Sequence, residues 1–487
     1  MTDEHDPSIT GCYGDPLVQT PNIDNLAEDG VLFENYYCNS PLCVPSRLSF
    51  TSGKYVNRVD AWNNQSTLPA DIESLPRLLN RSGYETVLCG KMHYAPDKRF
   101  GFQKDLLPHH NRNHKHVHTR RRTAGDETAD IWNWISRSGK FHEGYDSKVL
   151  KKDLECTEAA KKYLNGRTGD ESDKPFFFLL GYLAPHFPLI VPPGIVNKYE
   201  GKVPAPELPR GLLENLPKNY KHLRRGFGNI YAKDDITMTG RELYWALVEW
   251  MDTQLGIILD CLEENGLAKN TIVIFTSDHG ENKGDHGLWW KNCCYDHAAK
   301  VPMIIRWPGT LAKGERREKV ASHVDLVKTL LEIAGSEIPD DWNGDSFLGY
   351  AKDSNQDWKD MAICEYHGHN IVSGITSIRK GKYKLVYHNS KPDQGFESEY
   401  ELFDLEEDPK ELENLAYKSE YENLRDRLMS EMIDELGAHP QESEYKFEDY
   451  VGKIRYWWKT RTGELARKLA EPRLKKKYAD RLDLESN

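Results

Sequence analysis

The chain lacks any long apolar run. Its best, Phe176-Phe177-Phe178-Leu179-Leu180, is the length of one strand and far short of the roughly 20 residues that a membrane-spanning helix needs. Excess positive charge is also missing: 65 Lys and Arg stand against 77 Asp and Glu, a net charge of −12. Nothing in that balance points to nucleic acid or an anionic membrane as partner. Nor is there a cysteine framework, because nine cysteines without regular spacing do not read as a set of disulfides. The vicinal pair Cys293-Cys294 reads as one inward and one outward thiol. Met1-Thr2-Asp3 has neither the basic stretch nor the apolar core of a secretory signal. Internal repeats and low-complexity linkers are absent too.

What remains is a chain of 487 residues, long enough for about three average domains or one large α/β core. Its 12 Trp and 25 Tyr would suit sugar stacking, but a large core with amphipathic rims contains as many.

Apolar strands and amphipathic helices alternate over the first 355 residues. Expected strands are Val31 to Tyr37, Glu85 to Cys89, Pro175 to Leu183, Thr271 to Phe275 and Val301 to Trp307. Expected helices include Glu73 to Ser82, Asp153 to Leu164, Arg241 to Asn265 and Asp325 to Ala334, with Gly83, Gly266 and Gly335 as stops for three of them. The alternation predicts a large, mostly parallel sheet flanked by helices. From 356 to 487 the texture changes to short strands, Met361 to Tyr366, Gly374 to Ile378, Tyr383 to His388 and Tyr400 to Leu405. These predict a smaller C-terminal antiparallel sheet with one helix, Ser419 to Leu436. Ser419 and Glu422 form a capping-box pattern there, and Gly437 closes the far end. Tyr445 to Asn487 reads as a charged, helix-prone extension, broken near Pro472 and packed on the surface.

The stretch that organises the rest is Cys43-Val44-Pro45-Ser46-Arg47, leading into a short helix that Gly53 ends. A cysteine at a helix N-terminus, four residues before an arginine, sits in a field of free N–H groups and a guanidinium that suits an anion. Lys91 with His93, His186, and Asp278 with His279 each fall just beyond an apolar strand. In open α/β sheets that edge binds ligands. Taken singly, each is more simply a polar loop residue; three strand ends on one edge with Cys43 reverse the balance.

Cys43-x-Pro45-x-Arg47 with Leu-Ser-Phe-Thr-Ser-Gly-Lys behind it resembles the signature of type I sulfatases, in the alkaline-phosphatase-like superfamily. The resemblance implies that a formylglycine-generating enzyme oxidises Cys43 to formylglycine. The hydrated aldehyde would attack sulfur and then expel sulfate, covalent catalysis with a built-in release step. It further implies one divalent cation held by Asp3, Asp278, His279 and the Cys43-derived oxygen. Arg47 would hold the nucleophile, Lys91 and Lys291 the sulfuryl oxygens, His93 would act as base and His186 as acid for the leaving oxygen. Many sulfatases carry Asp-Asp and Asp-Asn where this chain has Asp3-Glu4 and Asp278-His279. The Asp-His pair is more similar to the choline-sulfatase and phosphonate-hydrolase branch. Oxygen ligands favour Ca²⁺ or Mg²⁺, and the one imidazole admits Mn²⁺.

Asn63 and Asn64 resemble a sulfate-binding Asn of the choline-sulfatase branch, with a plain turn as the alternative. Glu365 and His367 are candidates at the pocket mouth. The basic run from His109 to Arg122 is either a glycan-binding rim or a solvated insertion. The resemblance implies a sulfate monoesterase, preferably on sulfated carbohydrate, with small sulfate esters left open. Its rivals are a phosphate or phosphonate ester hydrolase of the same superfamily, and an inactive sugar-binding relative that keeps Cys43 as a thiol. In the family a hydrophobic strand normally precedes Thr-Asp, so that strand is expected upstream of this sequence, and whether a signal stands ahead of it is left open. Periplasmic, secreted and cytoplasmic locations all stay open.

Overall fold

A computed structural model describes residues 1–109, 121–167 and 174–461. Its core is α/β, as the alternation predicts. Strands β2 (Glu85–Lys91), β3 (Lys104–His109) and β4 (Phe176–Gly181) form a parallel sheet in the order β3-β2-β4. A second sheet runs β7-β1-β6-β5, with β1 Val31–Phe33, β5 Val273–Thr276, β6 Met303–Arg306 and β7 Glu315–Arg317. Here the structure departs from a parallel arrangement: β6 lies antiparallel to both β1 and β5. The link from β5 to β6 carries Asp278, His279 and Lys291, and β6 starts at the edge where β5 ends.

Met1 to Asp3 stitch the two sheets together. The Met1 ammonium donates to Leu180 O (2.9 Å) and Thr2 N to Thr276 O (2.9 Å), while Met1 O and Thr2 O accept from Tyr182 N and Asp278 N. Behind this stitch lies a cavity of about 720 Å³ lined by Phe176–Leu180 and Ile272–Phe275. The apolar run of β4 is therefore partly exposed along Phe176, Phe177 and Phe178. Each sheet ends there with β4 or β5 facing the cavity instead of a neighbouring strand.

Helix α1 (Cys43–Ser52) is buried on every side. Helix α2 spans Lys148–Asn165, starting five residues earlier than its apolar periodicity suggests because Ser147 caps it at Leu150 N. Helix α3 spans Asp234–Glu264, with Asp234 and Asp235 in a first turn that favours acidic residues.

The C-terminal strands β8 (Met361–Tyr366), β9 (Ile375–Lys380), β10 (Tyr383–His388) and β11 (Glu399–Asp404) form an antiparallel meander. Helix α4 (Glu422–Leu436) lays Leu428, Met429 and Met432 against Ile363, Ile378 and Leu385. The Ser419 capping box does not form. Ser419–Tyr421 makes a 3₁₀ turn, the α-helix begins at Glu422, and Ser419 Oγ bonds the neighbouring Glu420. Gly437 does close the helix, at φ 68°. The extension is not merely solvated. Helix α5 (Pro440–Arg461) buries Phe447 against Trp62, and Glu444 pairs with Arg121 and Lys391. The expected break near Pro472 and most of the basic run, residues 110–120, lie outside the described residues. No described helix is long and apolar enough to cross a membrane.

Candidate active site

Leu42 is extended (φ −156°, ψ 132°), Cys43 opens α1, and Gly53 ends it at φ 63°. A Cβ at Gly53 would lie 2.1 Å from the Trp342 ring, so glycine is required there by both space and backbone. Two contacts fix the front of the helix. Asn64 Oδ1 accepts from Val44 N at 3.1 Å, and Ser46 Oγ donates to Asp278 O at 2.6 Å. This distinguishes the two asparagines: Asn64 caps the cysteine's helix, while Asn63 Oδ1 accepts from Gln65 N in a local turn.

Cys43 Sγ lies 3.2 Å from His279 Nε2 and 3.8 Å from Asp3 Oδ1. The ligand atoms of Asp3, Cys43, Asp278 and His279 all fall within 4.8 Å of one another, and all four residues are buried. His279 Nδ1 faces Gly280 O at 3.0 Å, so it carries the proton and Nε2 presents a lone pair. Burial, opposed by Asp278, lowers the His279 pKa to about 3 and keeps the ring neutral. Apart from the thiol proton, the four atoms are acceptors packed together in a buried site. Such a set is repulsive unless a cation sits among them, and oxygen with imidazole donors suits a divalent one.

Cations surround this cluster. Arg47 Nε donates to Asp278 Oδ2 at 2.7 Å, its Nη2 lies 3.5 Å from Asp3 Oδ2, and its Nη1 bonds Lys91 O. Lys91 pairs with Asp3 Oδ2. The field expected around Cys43 is thus present, yet the thiol is pushed up to about 11, because burial outweighs Lys291 and Arg47. An unmodified Cys43 is protonated and a poor nucleophile.

His186 and Lys291 meet at Glu4. His186, just past β4, has Nε2 at 3.2 Å from Glu4 Oε2, and Lys291 Nζ lies 3.1 Å from Glu4 Oε1. Asp3, Glu4 and His186 form a second close set of ligand atoms. Lys291 comes from a loop in which Lys283, His286, Trp290 and Asn292 all adopt positive φ; Glu4 (φ 67°) and His93 (φ 59°) do so as well. Such backbone costs of order 1 kcal/mol or more per residue and clusters at functional sites. Glu281 steadies this loop, accepting from Lys283 N (2.9 Å) and Trp290 N (2.6 Å).

His93 stands apart from these contacts, with its ring 6.1 Å from that of His109 and its pKa lowered by burial and by Lys91. Glu365 and His367 form a buried pair, 3.3 Å apart, and Glu365 also accepts from Asn57 N. Cys293 and Cys294 are both fully buried, which corrects the expected outward thiol, and all nine cysteines are free. Cys293 and Cys294 pack in the core beside Tyr366, Ile375 and Val386 of the C-terminal sheet.

Sequence reasoning missed Asp153. Its position on the apolar stripe of Val149, Leu150, Cys156 and Ala160 was the available signal, since a charge on a core-facing position needs a reason.

Comparison with known proteins agrees with this geometry. A family-wide sequence model described as Sulfatase matches residues 2–336. The chain belongs to the sulfatase family. A second model, N-sulphoglucosamine sulphohydrolase, C-terminal, matches residues 284–437 of this sulfatase. Among curated relatives, an N-acetylglucosamine-6-O-sulfatase of Bacteroides thetaiotaomicron is 27% identical, over 88% of this chain and 84% of its own length. A choline-sulfatase of Rhizobium meliloti is 28% identical over 82% and 78%. Solved structures share the fold. BT4656, in complex with its substrate D-glucosamine-2-N,6-O-disulfate, superposes with a TM-score of 0.69 at 24% identity, covering 92% and 97% of the two chains. A phosphonate monoester hydrolase of Agrobacterium radiobacter gives 0.70 at 23%, covering 89% and 94%. As a family, sulfatases are sulfuric ester hydrolases that use a metal and a formylglycine.

Proposed function

We propose that this sulfatase removes sulfate from a sulfated carbohydrate, using one divalent cation and a formylglycine made from Cys43 by a formylglycine-generating enzyme. The observation that carries the reading is the buried acceptor cluster of Asp3, Asp278 and His279 around Cys43 Sγ, flanked by Arg47, Lys91 and Lys291. Asp3, Asp278 and His279 would hold the cation, with Ca²⁺ favoured and Mg²⁺ or Mn²⁺ the alternatives. When bound, the cation supplies Lewis acidity and a template for sulfate oxygens.

The chain's own residues do the rest. Arg47 fixes Asp278 and Asp3 and offsets their charge. Lys91 and Lys291 neutralise the oxygens of the sulfuryl group as it transfers, a role strongest in a dry site. His186 delivers a proton to the leaving oxygen, and His93 takes one up when sulfate is released. Burial, Lys291 and Lys91 together hold the His186 pKa down. An entering sulfate anion offsets those lysines and restores the proton the acid step needs.

The carbohydrate substrate is supported by the N-acetylglucosamine-6-O-sulfatase relative, the match to the N-sulphoglucosamine sulphohydrolase C-terminal model, and the basic run at residues 109–122. Hydrolysis of phosphonate or phosphate diesters is the second reading, favoured by the Asp278-His279 pair and the phosphonate-hydrolase fold neighbour. Assay against N- and O-sulfated glucosamines, aryl sulfates and phosphonate monoesters separates them. Higher kcat/KM on sulfated sugars supports the first, and a preference for phosphonates overturns it. The mass of the tryptic peptide ending at Arg47 tests the conversion of Cys43 directly.

A further inference from the structure

We infer that Asp153 is a positioning residue: its carboxylate fixes the turn Leu183–His186, and through it aims the acid His186 at the leaving group. Asp153 is fully buried on α2 and makes no ion pair among the described residues. Its Oδ1 accepts from Leu183 N and its Oδ2 from Ala184 N, both at 2.7 Å. These two N–H groups lie just past the end of β4, where the strand ladder no longer supplies acceptors. A neutral hydroxyl or a water could satisfy them at lower desolvation cost than a buried carboxylate. A side-chain carboxyl group instead accepts two short bonds whose directions are locked together.

What is locked is the turn that carries the chemistry. His186 N donates to Leu183 O at 2.9 Å, closing the turn. Ala184 O accepts from Asp3 N at 3.4 Å, tying the same turn to the residue proposed to hold the cation. One carboxylate thus sets the backbone on both sides of the reacting centre. Misplacing a catalytic group by about 1 Å costs up to 100-fold in rate, so the effect should fall on the step His186 serves.

The inference rests on His186 being the acid, and the test separates the two. Steady-state kinetics of the mature enzyme would be measured across sulfate esters from good leaving groups (nitrophenyl) to poor ones (alkyl or sugar). The variants are His186→Ala, Asp153→Asn and Asp153→Ser. The last leaves room for a water and serves if the amide does not fold. Thr157→Val is the packing control: Thr157 Oγ1 donates to the backbone O of Asp153 and lies 2.9 Å from both Tyr182 OH and Gln254 Oε1. We expect His186→Ala to lose most on poor leaving groups. Asp153→Asn should show the same sense, with kcat about 10- to 100-fold lower on alkyl than on nitrophenyl esters relative to wild type, and little change in KM. Thr157→Val should lower the melting temperature with an unchanged leaving-group slope. A steep slope in His186→Ala beside a wild-type slope in both Asp153 variants overturns this inference alone. A flat slope in His186→Ala overturns the acid assignment, and the inference with it.

Discussion

Glu4 Oε2 lies 3.2 Å from His186 Nε2. His186 Nδ1 already donates to Phe187 O, so Nε2 would meet the carboxylate with a lone pair unless the pair holds a proton. Burial raises the Glu4 pKa while it lowers that of His186, and a shared proton satisfies both. Glu4 also carries Lys291 on its other oxygen at 3.1 Å.

Replacing Glu4 by Gln keeps the shape and removes the charge. The expected outcome is a fall in kcat of about tenfold or more on esters with poor leaving groups. KM for the anionic substrate should not rise, because Lys291 loses its counter-charge. Unchanged kcat on alkyl sulfates would make Glu4 a spectator.

Cys43→Ala should abolish turnover while leaving the fold in place. The side chain removed is small, and the helix is held elsewhere by Asn64, Ser46 and Gly53. A melting temperature close to wild type with no detectable hydrolysis is expected. Any turnover above background would remove Cys43 from the chemistry.

Chelation followed by dialysis should lower both activity and thermal stability, because Asp3, Asp278 and His279 then have only Arg47 and Lys91 to offset their close approach. Readdition at 100 times the dissociation constant should restore about 2.7 kcal/mol of stability. Titrating Ca²⁺, Mg²⁺ and Mn²⁺ by thermal shift ranks the ions. A melting temperature indifferent to all three would argue against a bound metal.

The functional edge was legible where a site residue ends or closely follows an apolar strand. Lys91, His186 and Asp278 could be placed without knowing how the strands pair. Pairing itself was not legible: nothing local to Met303–Arg306 says that it runs antiparallel to its neighbours. Partners brought by long-range contact were also hidden. Nothing local to Glu4 shows its contacts with His186 and Lys291. Phe447 and Glu444 look solvated in sequence because their partners, Trp62 and Arg121, lie more than 300 residues away. The Ser419 cap failed for a local reason, since a 3₁₀ turn supplied the first bonds instead.

The C-terminal sheet is tied to the core by a buried charge. Lys384 Nζ, on β10, lies 2.6 Å from Asp296 Oδ1, bonds Cys294 O at 2.9 Å and pairs with Glu411. Lys384→Met should fold with a loss of about 3–5 kcal/mol, the cost of leaving buried carboxylates without their cation. The sign with pH follows from Asp296. Although burial alone would raise it, Lys384 and its neighbours hold its pKa down at about 2. Its stabilisation is therefore full above the unfolded value near 3.8 and is lost as pH falls through 2. Without Lys384 the carboxyls protonate at higher pH, which relieves the unpaired charge. The stability gap between wild type and Lys384→Met, measured by urea unfolding, should be widest at pH 7 and narrow towards pH 4. A gap independent of pH would mean that Lys384 contributes by packing its alkyl chain, and that the charges on Asp296 and Glu411 are neutralised by other groups.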